Sequence, residues 1–274
     1  MRFRTGLLFQ LFKYTVYSLL TLNIVLFFLE DHAAVLVKSM EGLTPALILE
    51  GYATSIDTAA WVILLLVFEL ETYILDDRHF TRTVNRLLTA IRVVCLAFIV
   101  FAFYGYSQTM LSAYQLKPAP AVTDLCSVAG TGDLYAIDES EYAVITSENC
   151  AALSEEESFQ RFADSDALAD NIVAVHIQRL AWADVVNAGV WILIVILLEI
   201  DVRLQERNRY EGVAFRTSMA LKAVFYPALF IVAVYWGIKG DFIDFWDAFL
   251  WLVAFLFIEN NILEWREEER AASA

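Results

Sequence analysis

The sequence predicts an all-α polytopic membrane protein. Six transmembrane helices form three repeated hairpins around a pseudo-threefold axis, with a small α+β outer cap inserted between helices three and four. Three observations lead there. Hydrophobic residues fill 59% of the 274 positions and the mean hydropathy is +0.56, too apolar for an ordinary soluble domain. The apolar residues gather in six runs, each near the roughly 20 residues a helix needs to cross a bilayer. The second, fourth and sixth runs also share one residue pattern.

The runs are Leu11–Phe28, Ala59–Leu75, Leu87–Tyr106, Val185–Ile200, Met219–Ile238 and Phe245–Leu263. The fourth is the shortest and needs its flanks, Trp182 and Val202, to span. No small-residue cleavage site follows Phe28, so the first run is expected to persist as a helix. The expected parts are residues 1–77 as the first hairpin, 78–106 as the third helix, 107–179 as the cap, 180–210 as the fourth helix and 211–274 as the last hairpin.

Orientation follows from the basic residues. Arg2, Arg4 and Lys13 precede or enter run one. Arg78, Arg82, Arg86 and Arg92 lie around the second connection, and Arg203, Arg207, Arg209, Arg216 and Lys222 around the fourth. With Arg266 and Arg270 these put 14 of the 19 Lys and Arg on one side, which the positive-inside rule makes cytoplasmic. Both termini are then inside, residues 107–179 are extracytoplasmic, and a bacterial inner membrane is the expected location. Twelve acids between Asp124 and Asp170 supply much of the net charge of -15, so nucleic acid is excluded as a partner. The partners expected are the lipid bilayer and a second copy or another membrane subunit.

In the first outer connection, Val35–Met40 and Ala46–Leu49 suggest a short interfacial helix. In the cap, Asp133–Ile137 and Tyr142–Thr146 alternate around a polar turn and read as a β-hairpin. Ser154 followed by Glu157 reads as a capping box opening a helix, with Phe159, Phe162 and Leu168 as its apolar face. That helix is expected to run on through Ile172–Val175 into the fourth span. Cys126 and Cys150 both fall in the cap and are expected to pair as a disulfide in an oxidising compartment.

The shared pattern is [DN]-x3-W-x7-E-x-[EDN]. It reads Asp57, Trp61, Glu69, Glu71 in the second run; Asn187, Trp191, Glu199, Asp201 in the fourth; and Asp247, Trp251, Glu259, Asn261 in the sixth. The chain has only seven Trp, so three at one offset argue for an internal repeat. At 1.5 Å per residue the glutamate lies roughly 18 Å from the outer Asp or Asn. The acid or amide two positions on points about 200° away from it, so the two cannot face the same neighbour. The odd runs bring Lys13, Arg92 and Lys222 to a similar depth.

Charge inside a membrane is costly, so these groups pair or line water. Two readings follow. In the first, Glu69, Glu199 and Glu259 form an acidic ring, paired with Lys13, Arg92 and Lys222, in a transporter or channel for a cation, proton or small cationic solute. In the second, the same charges hold the hairpins of a non-catalytic scaffold or accessory subunit together, and the acidic cap or the basic inner loops bind a partner. His32, His79 and His176 all lie outside mid-membrane, so axial ligation of an intramembrane haem is excluded, and no cofactor or metal is expected. There is no nucleotide-binding loop, metalloprotease helix or nucleophile elbow, and an enzyme is not expected.

Overall fold

The computed structural model describes residues 7–38, 48, 51–70, 81–138, 141–163, 167–206, 212–240 and 242–273, and excludes the side chains of 7, 8, 37, 38, 202, 205, 206 and 258–273. The chain is mostly helical. Its long helices are α1 (Leu7–Lys38), α2 (Ala53–Glu69), α3 (Arg82–Ser112), α4 (Asn171–Glu206), α5 (Gly212–Lys239) and α6 (Phe242–Ser273). Four of them are long and apolar enough to cross a membrane, over Phe9–Leu36, Arg82–Ser112, Asn171–Asp201 and Gly212–Lys239. Runs of Leu, Ile, Val and Phe suit this role because a helix satisfies its own backbone groups where no water can. Thr81 caps α3, its hydroxyl accepting from Val84 N at 3.3 Å. α5 carries Pro227, which removes one backbone bond within the helix.

Each predicted run falls on one helix, and five of the helices overshoot their runs; the second run is followed only to Leu70, since residues 71–75 lie outside the described residues. α3 and α4 have 31 and 36 residues, about 46 and 54 Å at 1.5 Å per residue, against about 30 Å of hydrocarbon. Residues 35–38, expected in a separate interfacial helix, are the last turn of α1. The rest of that expected helix lies outside the described residues, apart from Ile48, which is helical.

The chain divides into two compact units, Met1–Asn23 with Val186–Ala274, and Ile24–Val185. The second unit contains a five-stranded sheet between α3 and α4. Its strands are β1 (Leu116–Pro118), β2 (Leu134–Ala136), β3 (Tyr142–Val144), β4 (Phe159–Phe162) and β5 (Leu168–Asp170), in the order β1-β4-β5-β2-β3. Only β2 and β5 run parallel. The expected hairpin is β2–β3, with Leu134 opposite Val144.

Alternation along the strands builds two apolar layers. Ala136, Ala167 and Ala169 face Ala113 at the end of α3 and Ala174, Ile177 and Ala181 on α4. Small side chains on both sides let the sheet lie close against the helices. Tyr135 and Leu168 face the other way, onto Leu125, Ile145 and Cys150. The Cys126–Cys150 disulfide, with Cα atoms 5.0 Å apart, ties a 3-10 turn (Leu125–Val128) to a single helical turn (Cys150–Leu153) in that outer layer.

The helix expected after Ser154 is not formed; the segment becomes strand β4. Phe159 and Phe162 are spaced like one face of a helix, yet on a strand an odd spacing sends them to opposite sides. Phe159 packs into the disulfide layer and Phe162 into the helix layer, both at least 95% buried. Ser154 Oγ accepts from Glu156 N at 3.1 Å and donates to Asp170 at 2.7 Å, so it closes a turn and caps no helix. α4 begins after Asp170, and Ile172–Val175 are continuous with the fourth span as expected.

Candidate functional site

The residues of the expected repeat fall at two levels along the helices, which the expected orientation would make outer and inner. At the outer level, the spacing of Asp247 and Trp251 places the indole one turn below the carboxylate, and Trp251 donates to it. Asn23 Nδ2 of α1 also donates to Asp247 Oδ1, at 2.7 Å. Asn23 is itself 1% exposed and Asp247 is half-buried, so this bond replaces hydration that Asn23 lacks. Phe257 of α6 packs edge-on against Phe9 and Phe12 of α1, with centroids 5.3 and 5.7 Å away. On α2, Asp57 Oδ2 faces the Tyr106 hydroxyl of α3 at 3.5 Å. Asn187, the third member, keeps a buried Oδ1 with no hydrogen-bond partner among the described residues. The Trp61, Trp191 and Trp251 side chains are all buried, and Trp191 packs on Phe255 with centroids 4.5 Å apart.

The inner level departs from expectation. Lys222 Nζ of α5 lies 3.0 Å from Asp201 Oδ2, with side chains 6% and 1% exposed. Ser218 Oγ, one turn earlier on α5, donates to the same oxygen at 2.5 Å. Glu199, the residue expected to meet Lys222, points outward and pairs with Arg203 on its own helix at 2.8 Å, their side chains 60% and 68% exposed. The physical reason is the helical period: residues 199 and 201 differ by about 200°, and the position nearer the α5 interface is Asp201. Glu69 is buried at the last residue of α2, Lys13 is buried with its ammonium 5.2 Å from the Tyr14 ring centre, and Arg92 is exposed. Glu71 and the side chains of Glu259 and Asn261 lie outside the described residues.

Sequence reasoning missed Asn23, Asp31, Tyr106, Asp184, Ser218 and Trp236. A signal for several of them lay in the odd helices. Counting from Lys13, Arg92 and Lys222, the positions seven on are Leu20, Ile99 and Leu229, all at most 3% exposed. Ten on come Asn23, Ala102 and Val232, again all buried, and fourteen on come the aromatics Phe27, Tyr106 and Trp236. That is a stripe of period 3.5, the spacing that keeps one face of a helix on its neighbour. Asp31 accepts from Ser55 Oγ at 2.5 Å and from Ser55 N at 3.0 Å, joining α1 to α2. Asp57, Asp184 and Asp31 all lie within electrostatic reach of the Tyr106 phenol. Among the described residues no group of His, Cys, Asp and Glu comes together as a metal site.

In the cap the polar centre is Asp170, 5% exposed, where β5 passes into α4. Its carboxylate accepts from Tyr135 Oη at 2.8 Å, Ser154 Oγ at 2.7 Å and Val173 N at 2.8 Å. Burial pushes its pKa up, but the Val173 amide, Ser154 and Tyr135 outweigh it and hold the carboxyl below its ordinary value. Tyr135 moves the other way, chiefly through burial and then through its bond to Asp170. Nearby, Arg161 pairs with Asp133 at 2.6 Å and Thr131 donates to the same carboxylate.

Compared with known proteins, the chain matches no family model, no curated protein and no solved structure.

Proposed function

We propose that this chain is a non-catalytic membrane scaffold, in which three copies of one hairpin lock together and hold a rigid acidic cap for a partner. The observation that carries the reading is the buried triad Lys222–Asp201–Ser218: a lysine and an aspartate removed from water and bonded to each other across α4 and α5. Such a pair contributes little net stability against an apolar alternative, but it fixes which faces meet. The even helices repeat this use of polar groups. α2 reaches α3 through Asp57 and Tyr106, α4 reaches α5 through Asp201 and Lys222, and α6 reaches α1 through Asp247 and Asn23.

In this account α2 and α6 complete six spans, both termini are cytoplasmic and the cap stands on the outer face of a bacterial inner membrane. α3 and α4 are longer than the hydrocarbon, and their ends form the layer beneath the sheet of the cap. The cap has twelve acids against Lys117, Arg161 and Arg179, so the partner it suits is basic.

A specific observation keeps cation or proton transport as a second reading: Asp31, Asp57 and Asp184 gather around Tyr106 in the other unit. Purification from native membranes in mild detergent separates the two. A stoichiometric partner held at low salt and shed at high salt supports the scaffold. Recovery of the chain alone at both salt levels counts against it.

A further inference from the structure

Between Arg92 and Tyr114, α3 and its C-cap contain no Asp, Glu, Lys or Arg. That stretch rises about 32 Å at 1.5 Å per residue, close to the roughly 30 Å of hydrocarbon in a bilayer. Val93, Val100 and Tyr104 on it are each more than half exposed, as a lipid-facing surface is.

A second observation marks the end of this stretch next to the cap. Trp182 Nε1 of α4 donates to Tyr114 Oη at 3.1 Å, and one turn earlier Gln178 Nε2 donates to Ala113 O at 3.1 Å. Tyr114 and Trp182 nevertheless remain 54% and 47% exposed. A tyrosine and a tryptophan joined by their polar tips, with apolar rings left open, suit the boundary between acyl chains and headgroups, where both residue types concentrate.

The charges flanking that pair have one sign. Residues 107–123 and 171–183 contain Lys117 and Arg179 and no Asp or Glu, although twelve acids lie between Asp124 and Asp170. Lys117 comes three positions after Tyr114, in β1, and Arg179 three before Trp182, on α4, and both are exposed. Arg161, the remaining basic residue of the cap, is committed to Asp133. Along the chain, then, acids stand away from the points where the cap joins α3 and α4, and long basic side chains stand at them. Headgroup phosphates suit that distribution.

We infer that Tyr114 and Trp182 mark the membrane surface on the cap side, and that Lys117 and Arg179 beside them bind the headgroup phosphate of an anionic phospholipid. Exposed Ile172 and Val175 then stand about 15 and 10 Å beyond that surface along α4, in water. The inference rests on α3 and α4 crossing a bilayer, and not on whether the chain is a scaffold.

Nitroxide labels on single Cys substitutions test the level, made with Cys95→Ala in the full chain and reconstituted in phosphatidylcholine–phosphatidylglycerol vesicles. Collision with oxygen against a water-soluble nickel chelate reads the depth of each label. Ile172→Cys and Val175→Cys are expected to favour the chelate, and Val100→Cys and Tyr104→Cys to favour oxygen. Oxygen preference at residues 172 and 175 moves the surface outward and overturns the assignment at Trp182. Chelate preference at all four overturns it for a different reason, since α3 then does not cross the bilayer. A second arm counts the spin-labelled phosphatidylglycerol immobilised on the protein. The Lys117→Gln, Arg179→Gln variant is expected to hold less than the wild type, with immobilised phosphatidylcholine unchanged. An equal phosphatidylglycerol count in the two proteins overturns the phosphate site.

Discussion

Replacing Asp201 with leucine leaves Lys222 charged in a place where its side chain is 6% exposed, and removes the acceptor of Ser218 Oγ as well. Stripping one member from a buried pair costs about 3–5 kcal/mol, because the remaining charge keeps its desolvation penalty and loses its compensation. For a chain of this size about 1 kcal/mol moves Tm by roughly 2–4 °C, so Asp201→Leu should lower Tm by about 6–20 °C. The double variant Asp201→Leu, Lys222→Met removes both charges and should recover most of that loss, since apolar replacement of a buried pair is often neutral. Glu199→Gln is the matched control. It breaks the exposed pair with Arg203, for which about 0.3–0.5 kcal/mol is typical, and Tm should barely move. Thermal melts of the detergent-solubilised protein, read by the fraction remaining monodisperse, measure all three. If Glu199→Gln costs as much as Asp201→Leu, the inner position has been assigned to the wrong acid.

Asp170 should make the cap acid-sensitive. Its carboxyl titrates lower in the folded chain than the ordinary value near 3.9, so its contribution is present above that pH and lost as pH falls through the folded value. Asp170→Asn should destabilise the cap at neutral pH and flatten this acid limb, as read by amide exchange over residues 116–170. Cys126→Ser with Cys150→Ser opens a loop with a sequence separation of 24, which costs about 3 kcal/mol in a chain-entropy estimate. Limited proteolysis should then cut between the two positions while the long helices stay intact. Asn23→Leu leaves half-buried Asp247 without its α1 donor and should cost about 1–3 kcal/mol, with Trp251 keeping the loss toward the lower end.

The long helices were legible because hydropathy and length mark them, and four of them, the weak fourth run included, are long and apolar enough to cross a membrane. The helical period already contained the geometry around Asp201: positions 199 and 201 could not face one neighbour. Which of them faced α5 depends on helix rotation, and rotation is set by packing against residues far away in sequence. The charge of Glu199 carries no mark of its direction. The cap hairpin was legible from alternation, whereas Phe159 and Phe162 fitted a helix period and a strand equally well over so short a stretch. Pairing with β1 and β5 decided it, and that is a tertiary fact. Asn23, Tyr106 and Trp236 were missed because each is a single residue on an odd helix, visible only when those helices are aligned on their basic residue.

Reconstitution into liposomes with an imposed pH or cation gradient tests the scaffold account most directly, because it asks whether Asp31, Asp57 and Asp184 conduct anything. The account predicts dissipation no faster than in protein-free liposomes, for the wild type and for Asp57→Asn alike. A flux above that background which Asp57→Asn abolishes would contradict it and place the function at the acids around Tyr106.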